Sequence, residues 1–292
     1  MKFPPHLLLV LATILWGGNF VIGRAVTGEI PPFTLSLLRW CLAFIVFFPI
    51  AFKYVKRDWP KFKEHWPIVI VLALTGVASF NTLVYIGVYY TTSINASLMN
   101  SLTPIFLYIL SFAFLKIKVT RNQVIGTAIS LLGVLFILTK GSIENLINFH
   151  FNFGDLIVIV AVISWSFYSL LVKQYSDRLP GFSTFLVCIA LGAIMLVPFS
   201  MYELMTSTTP IHWSGATIGA ILYVGILASI VAFLSWNKGM VEIGTNRAGI
   251  YLNLVPVFAT LFATIFLGEQ LYFAQLIGGI AVIGGVILTN RA

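Results

Sequence analysis

The chain has 292 residues, of which 59% are hydrophobic and only 9% are charged. A soluble domain carries about a quarter charged residues, so this composition excludes one because the apolar surface could not all be buried. The net charge of +8 does not indicate nucleic acid as a partner, because the basic residues follow the predicted membrane topology.

Ten apolar segments follow one another along the chain, each close to the twenty or so residues that a helix needs to cross the hydrocarbon core. Their apolar runs are continuous, whereas a barrel strand would alternate apolar and polar residues. The sequence therefore predicts an all-α polytopic membrane protein with no separate soluble domain. The predicted spans are residues 6–27, 32–52, 67–90, 94–115, 122–139, 154–174, 181–201, 215–237, 246–268 and 272–290.

The basic residues are concentrated on the side of the predicted membrane that also holds both termini. The basic stretch 53–63 lies there, while Arg24 and Lys140 lie on the opposite side. By the positive-inside rule, we expect both termini in the cytoplasm and the protein in the inner membrane. We interpret stretch 53–63 as a solvated loop that faces anionic membrane lipid.

The sequence contains an internal repeat. A shift of 149 residues places Trp16 over Trp165, and a shift of 152 places Pro104 over Pro256. We expect a first repeat at residues 1–139, an extracytoplasmic connecting loop at 140–153 and a second repeat at 154–292.

Each repeat holds five predicted spans, and because five is odd, the second repeat enters the membrane from the opposite side. The predicted fold is therefore two inverted five-helix repeats. Inverted repeats are common in secondary transporters, where two similar halves expose one site to either side in turn. The alternative is a duplication that only builds a stable bundle.

Polar side chains inside the spans cluster on particular helical faces, which must meet protein partners or a water-filled cavity. Ser97, Asn100 and Pro104 form one such face in the fourth span. Pro104 and its counterpart Pro256 are expected to kink their helices and free a carbonyl, either for solute or for packing alone. The residues expected to contact a solute are Asn19, Asn81, Tyr85, Ser97, Asn100, Trp165, Tyr168, Tyr251 and Asn253.

Arg39 is a charged residue well inside the second span, where it needs a partner. Asp155 and Glu269 belong to the same half of the membrane, so we expect an intramembrane ion pair with one of them. Such a pair could fix helix packing or serve ion coupling or substrate binding.

The sequence offers no catalytic constellation, so we expect no enzyme activity, metal or cofactor. The four histidines lie at span ends or in loops, without the spacing of metal ligands. No phosphate-binding glycine loop is present, so any energy that transport needs is expected from an ion gradient, such as protons, or from a counter-solute gradient.

Short motifs occur in the same order in the two halves and cover essentially the whole chain. They are Trp16-Gly17-Gly18-Asn19-Phe20 with Arg24, then Arg39, then Ala96 to Pro104, Asn246 and Ala248 to Pro256, Gly268-Glu269, Gly278 and Gly284-Gly285-Val286. The order of these motifs and their repetition in both halves resemble the pattern of the drug/metabolite transporter superfamily, and more closely that of its EamA-type members with ten helices.

The resemblance implies a basket-like bundle with a central cavity, lined mainly by the first, third, fourth, sixth, eighth and ninth spans. It also implies export of metabolites, amino acids or toxic organic compounds. One departure is that Glu269 has Ile117 as its counterpart, which argues against two symmetric coupling sites.

We therefore expect an alternating-access exporter of amino acids or related small amphipathic metabolites or drugs, with small organic solutes and membrane lipid as its partners. The alternatives are a nucleotide-sugar or sugar-phosphate exchanger and a passive solute channel.

Overall fold

The computed structural model describes residues 3–25, 29–147, 150–206 and 211–291. Within these ranges the chain is helical without strands, and nine helices are long and apolar enough to cross a membrane. A further helix at the start has a shorter apolar part, Pro5–Asn19. The predicted all-α polytopic membrane fold is confirmed. The helices are α1 Pro5–Ala25, α2 Pro32–Glu64, α3 Trp66–Tyr90, α4 Ile94–Leu115, α5 Arg121–Thr139, α6 Phe153–Gln174, α7 Gly181–Thr206, α8 Gly215–Ile243, α9 Thr245–Leu267 and α10 Phe273–Asn290.

The connections between these helices are short. A single residue, His65, separates α2 from α3, and Gly244 separates α8 from α9. Consecutive helices are therefore antiparallel. We call the side on which α1 begins and α10 ends the terminal face, and the other side the distal face.

The second helix is longer than the sequence predicts, because α2 continues to Glu64 instead of ending near residue 52. Val55, Asp58 and Phe62 are buried along this extension. The Ser183 hydroxyl of α7 donates to Asp58 Oδ2 at 2.6 Å. The basic stretch 53–63 is thus an ordered helix and the predicted loop was wrong, since one face of the stretch packs on the protein.

The helix pairing reproduces the inverted repeat. Helix α1 packs on α8 and α9, and its counterpart α6 packs on α3 and α4, while α2 packs on α7 and α5 on α10. Exchanging each helix for the one five positions away maps this pairing onto itself. The repeat-equivalent Trp16 and Trp165 meet with ring centroids 5.4 Å apart. The two halves therefore have opposite orientations around a pseudo-two-fold axis, as predicted.

The third helix of each half carries a π-helical segment, Ala73–Ser79 in α3 and Tyr223–Val231 in α8. The two segments lie at equivalent positions of the repeat. A π-helical turn shifts hydrogen bonds to the fifth residue along the chain and leaves carbonyl groups for other partners.

Candidate functional site

A cavity of about 270 Å³ lies between the two halves and opens toward the distal face. Its wall includes the distal ends of α3 and α9, at Tyr89 and Leu267, and the start of α4, at Ile94. Among the residues expected to contact a solute, those that line this cavity are Asn19, Asn81, Tyr85, Ser97, Asn100 and Trp165.

The other three expected contact residues lie elsewhere. Tyr168 is buried below Trp165 and accepts a 2.7 Å hydrogen bond from Asn237 Nδ2. Asn253 is buried and donates to the Ser130 hydroxyl of α5 at 3.0 Å. The Tyr251 hydroxyl lies 2.6 Å from His6 Nδ1, near the terminal face. A helical face pattern locates a polar stripe, but it does not reveal which neighbouring helix the stripe meets.

Both helices that contain the predicted kinks depart from regular α-helix directly before their prolines. In α4 the helix is interrupted at Ser101 and Leu102, before Pro104. In α9 a 3-10 turn spans Ile250–Asn253, before Pro256. Both prolines are buried, and Pro256 lines the cavity whereas Pro104 is not among the residues of its wall. A proline has no backbone N–H and its ring clashes with the carbonyl four residues earlier, which accounts for both irregularities.

An aromatic cluster closes the cavity toward the terminal face. We define it as Trp16, Trp165, Tyr168, Phe233 and Trp236. Ring centroids of Trp165 lie 5.2 Å from Phe233 and 5.9 Å from Trp236, and those of Trp16 and Trp236 lie 5.6 Å apart. Trp165 and Trp16 also line the cavity, so the cluster forms its floor.

The Arg39 side chain is fully buried beside the cavity wall. Its guanidinium donates to Asn81 Oδ1 at 2.8 Å, to the Tyr85 hydroxyl at 3.2 Å and to the Ala228 carbonyl at 3.2 Å. A further donor, Nε, contacts the Ser229 hydroxyl. The acceptors are all neutral, so the second span is held to α3 and α8 by hydrogen bonds.

The expected ion pair of Arg39 with Asp155 or Glu269 is corrected by these contacts. Asp155 Oδ1 accepts from the Thr91 hydroxyl at 2.6 Å, and its Oδ2 accepts from Asn95 Nδ2 at 3.2 Å. Asp155 therefore ties the distal ends of α3, α4 and α6 together. Glu269 lines the outer part of the cavity.

Three buried polar atoms in residues of the cavity wall have no hydrogen-bond partner among the described residues. They are the acceptor Asn19 Oδ1 and the donors Asn81 Nδ2 and Trp165 Nε1. Buried polar atoms are normally hydrogen-bonded. Three unpartnered atoms in the wall of one cavity therefore indicate that a bound solute or water completes their hydrogen bonds.

Helices α4 and α9 approach at the terminal face and separate at the distal face. At the terminal face, the Ser111 and Thr245 hydroxyl oxygens lie 2.7 Å apart. The repeat equivalent of Ser111 is Ala263, which lines the open cavity together with Ser97 of α4. The structure is therefore closed on one face and open on the other along the same pair of helices.

Comparison with known proteins identifies the fold and the class of protein. Residues 4–139 and 152–291 each match the model of the EamA-like transporter family. The chain belongs to the EamA-like transporter family. The family resemblance predicted from the motifs is confirmed, and the protein is a multi-pass membrane transporter.

This EamA-like chain is also similar to individual proteins. An uncharacterized transporter of Archaeoglobus fulgidus is 30% identical, over 99% of this chain and 98% of its own. A probable terminal-alkyne amino-acid exporter of Streptantibioticus cattleyicolor is 25% identical, over 97% and 92%. A crystal structure of another protein matches with a TM-score of 0.80 at 20% identity, over 98% of this chain and 96% of that one, and supports the fold alone.

The site of this EamA-like transporter includes residues that the sequence alone does not reveal. Ser229 and the Ala228 carbonyl, which hold Arg39, belong to the π-helical segment of α8. Ser229 also donates to the Val224 carbonyl, five residues back, at 2.7 Å. In the sequence, Ser229 is a single serine inside an apolar span and belongs to no polar helical face, so the pattern did not identify it as a site residue. Within the described part of the chain, no cluster of metal-ligating side chains occurs. Two residues of the opening motif, Phe20 and Arg24, have side chains outside the described part.

Proposed function

We propose that this protein exports amino acids or related small amphipathic metabolites by alternating access across the cytoplasmic membrane. The observation that carries the proposal is the cavity between two inverted halves, open at the distal face and closed at the terminal face. Inverted halves can exchange their shapes, which would move the opening from one face to the other.

The chemistry of the cavity supports a small amphipathic solute. Aromatic rings of Trp16, Phe80 and Trp165 line it together with a few polar side chains. Rings bind the apolar part of a ligand, while a small number of amides and hydroxyls orient it. The volume of about 270 Å³ is at the lower end for ligand sites, which favours solutes of amino-acid size. The relative named as an amino-acid exporter supports the same class.

We place the terminal face in the cytoplasm. The basic residues at the end of α2, including Lys61 and Lys63, lie on that face, and positive charge favours the cytoplasmic side. The distal opening then faces outward, and the structure is the outward-open state of an exporter.

In the proposed cycle, the distal ends of α4 and α9 close over the solute as their terminal ends separate. The Ser111–Thr245 contact would break in this step. A proton or counter-solute gradient would supply the energy. By the same exchange, Tyr168 and Tyr251, which lie toward the terminal face, would border the inward-open cavity.

Counterflow into sealed proteoliposomes tests the proposal. Labelled threonine, phenylalanine, glucose 6-phosphate and a cationic dye are added outside, with or without excess unlabelled solute inside and an imposed pH gradient. We expect saturable counterflow of an amino acid, and stimulation by the pH gradient if protons are coupled.

Other outcomes of this experiment would contradict the proposal. Strong exchange of glucose 6-phosphate alone would indicate a sugar-phosphate exchanger. Flux that neither saturates nor responds to internal solute would indicate a channel. The absence of amino-acid counterflow in folded, correctly inserted protein would overturn the proposal.

A further inference from the structure

We propose that the Asn81 amide and the Tyr85 hydroxyl bind the carboxylate of the transported solute, and that Arg39 is the positioning residue that turns both groups into donors. This inference rests on the proposed function and narrows its substrate class to solutes with a single carboxylate.

The orientation of Asn81 follows from the chemistry of its neighbour. A guanidinium can only donate hydrogen bonds, so the atom of Asn81 that faces Arg39 must be the oxygen. That contact measures 2.8 Å. The amide nitrogen is consequently directed away from Arg39, and it has no partner among the described residues. Asn81 is 7% exposed and lines the cavity, so its free donor belongs to a buried wall.

Tyr85 is oriented in the same way. Its hydroxyl oxygen accepts from Arg39 at 3.2 Å, which leaves its own proton to donate elsewhere. Tyr85 also lines the cavity. Arg39 thus converts two groups that could each donate or accept into a pair of donors on residues of the same cavity wall.

The charge of Arg39 adds to this orientation. The guanidinium is fully buried and, among the described residues, all its hydrogen-bond acceptors are neutral oxygen atoms. A buried cation is costly without a nearby anion. Hydrogen bonds in a chain polarise one another, so Asn81 and Tyr85 carry part of this positive potential to the cavity. A carboxylate bound there would lie one side chain from the cation.

The second repeat does not contain the same three polar residues at the equivalent positions. The repeat equivalents of Arg39, Asn81 and Tyr85 are Cys188, Phe233 and Asn237. Phe233 packs in the aromatic cluster, and Asn237 donates to Tyr168 inside the protein. The arrangement of a buried cation beside two donors from the cavity wall is therefore not repeated at the equivalent positions of the second half.

The rest of the cavity favours a zwitterion over a multiply charged anion. Asn19 Oδ1 is an unpartnered acceptor among the described residues, suited to an ammonium group. Trp165 Nε1 offers one further donor. A free amino acid matches this distribution of donors and acceptors.

Equilibrium binding to the full chain in lipid nanodiscs tests the inference. The probes are phenylalanine and phenylalanine amide, which share the ring and the ammonium group and differ in the carboxylate. We expect the acid to bind about tenfold more tightly than the amide, as charge-assisted hydrogen bonds are stronger than neutral ones.

Two pairs of variants separate the loss of the oriented hydrogen-bond donors from a general disturbance of the cavity structure. Tyr85→Phe removes the donor and should reduce the preference for the acid about threefold to tenfold, because the donor bonds a charged carboxylate more strongly than a neutral amide carbonyl. Tyr89→Phe is the matched control, because Tyr89 lines the same cavity and is 65% exposed. Arg39→Gln should abolish the preference, and Arg39→Lys should restore part of it because it keeps the charge.

Equal binding of acid and amide by the unmodified protein would overturn the carboxylate inference while leaving amino-acid transport standing. So would a loss of binding in Tyr85→Phe that is the same for both probes, since that indicates a structural role alone. Tighter competition by glucose 6-phosphate than by phenylalanine would reassign the donors to phosphate. Failure of both probes to bind, together with absent counterflow, would overturn the proposed function itself.

Discussion

The guanidinium of Arg39 donates a 2.8 Å hydrogen bond to the side-chain oxygen of Asn81. Arg39 belongs to α2 and is sealed from solvent, whereas Asn81 belongs to α3 and lines the cavity. The contact therefore connects a buried positive charge to the space between the two halves. It also links the packing of the helices to the chemistry of the site.

The indole of Trp165 should contribute a hydrogen bond to the solute. Trp165→Phe keeps an aromatic ring in the floor of the cavity but removes Nε1, which has no partner among the described residues. We expect amino-acid counterflow to fall about fivefold at low solute concentration. Because Trp165 is buried, thermal unfolding is measured as well, so that a loss of packing is separated from the loss of the donor. Trp213→Phe, at a position that is 60% exposed, is the control. Unchanged counterflow in Trp165→Phe would remove this donor from the site.

The close approach of α4 and α9 at the terminal face should depend on Gly249. A Cβ atom at this position would lie 2.7 Å from Leu107 Cδ1, so the buried Leu107 side chain must reorient within the contact between the two helices. In Gly249→Ala we expect the closed terminal face to open more often, which would raise the KM for solute added from the distal side about threefold. Gly219→Ala, where nothing lies within 4 Å, should behave as the unmodified protein. Equal KM values in the two variants would contradict this role for Gly249.

The α5–α10 pair should be the part of the scaffold least tolerant of added volume. A Cβ atom on Gly278 would lie 2.5 Å from the backbone oxygen of Gly133. Because backbone cannot move aside cheaply, we expect Gly278→Ala to destabilise the protein by about 1–3 kcal/mol. Gly284→Ala on the same helix meets no atom within 4 Å and should have little effect. Thermal unfolding in detergent measures the stability of the two variants. Similar melting temperatures for Gly278→Ala and Gly284→Ala would contradict the intolerance of added volume at Gly278.

The beginning of α2 should depend on a carboxylate from α7. Glu203 accepts from the Thr34 backbone amide at 2.7 Å, from its hydroxyl at 2.9 Å and from the Phe33 amide at 3.1 Å. These groups would otherwise lack a partner at the helix start, so Glu203→Ala should cost about 1–2 kcal/mol of stability. Glu64→Ala, which removes a carboxylate that is 76% exposed, is the comparison. Equal unfolding temperatures would contradict the capping role.

Much of the fold could be predicted because the bilayer imposes long apolar helices and the duplication is visible in the sequence. Trp16 and Trp165 align in the repeat and meet in the structure. The polar stripes likewise predicted Asn81 and Asn100 as cavity residues. Stripes depend only on helical periodicity, so a sequence reveals them.

The partners of those stripes could not be predicted in the same way. Arg39 was expected to need a carboxylate, but two of its four acceptors come from a π-helical segment of α8, where Ser229 gives no pattern of its own. Asn253 has the same spacing as cavity residues and yet meets Ser130 of α5. Which neighbour a face meets is decided by the packing of helices distant in sequence.

Alternating access through α4 and α9 is tested most directly by locking their terminal contact. The Ser111 and Thr245 hydroxyl oxygens lie 2.7 Å apart and come from different halves, so cysteines at both positions should be close enough for a disulfide. The variant Ser111→Cys/Thr245→Cys is made with Cys41 and Cys188 replaced by alanine, and each single variant serves as a control.

Amino-acid counterflow is then measured in the oxidised and reduced protein, with binding measured in parallel. We expect oxidation to abolish counterflow while solute still binds from the distal face, and a reductant to restore transport. Counterflow at the same rate in the fully cross-linked and the reduced protein would contradict alternating access by separation of these two helices.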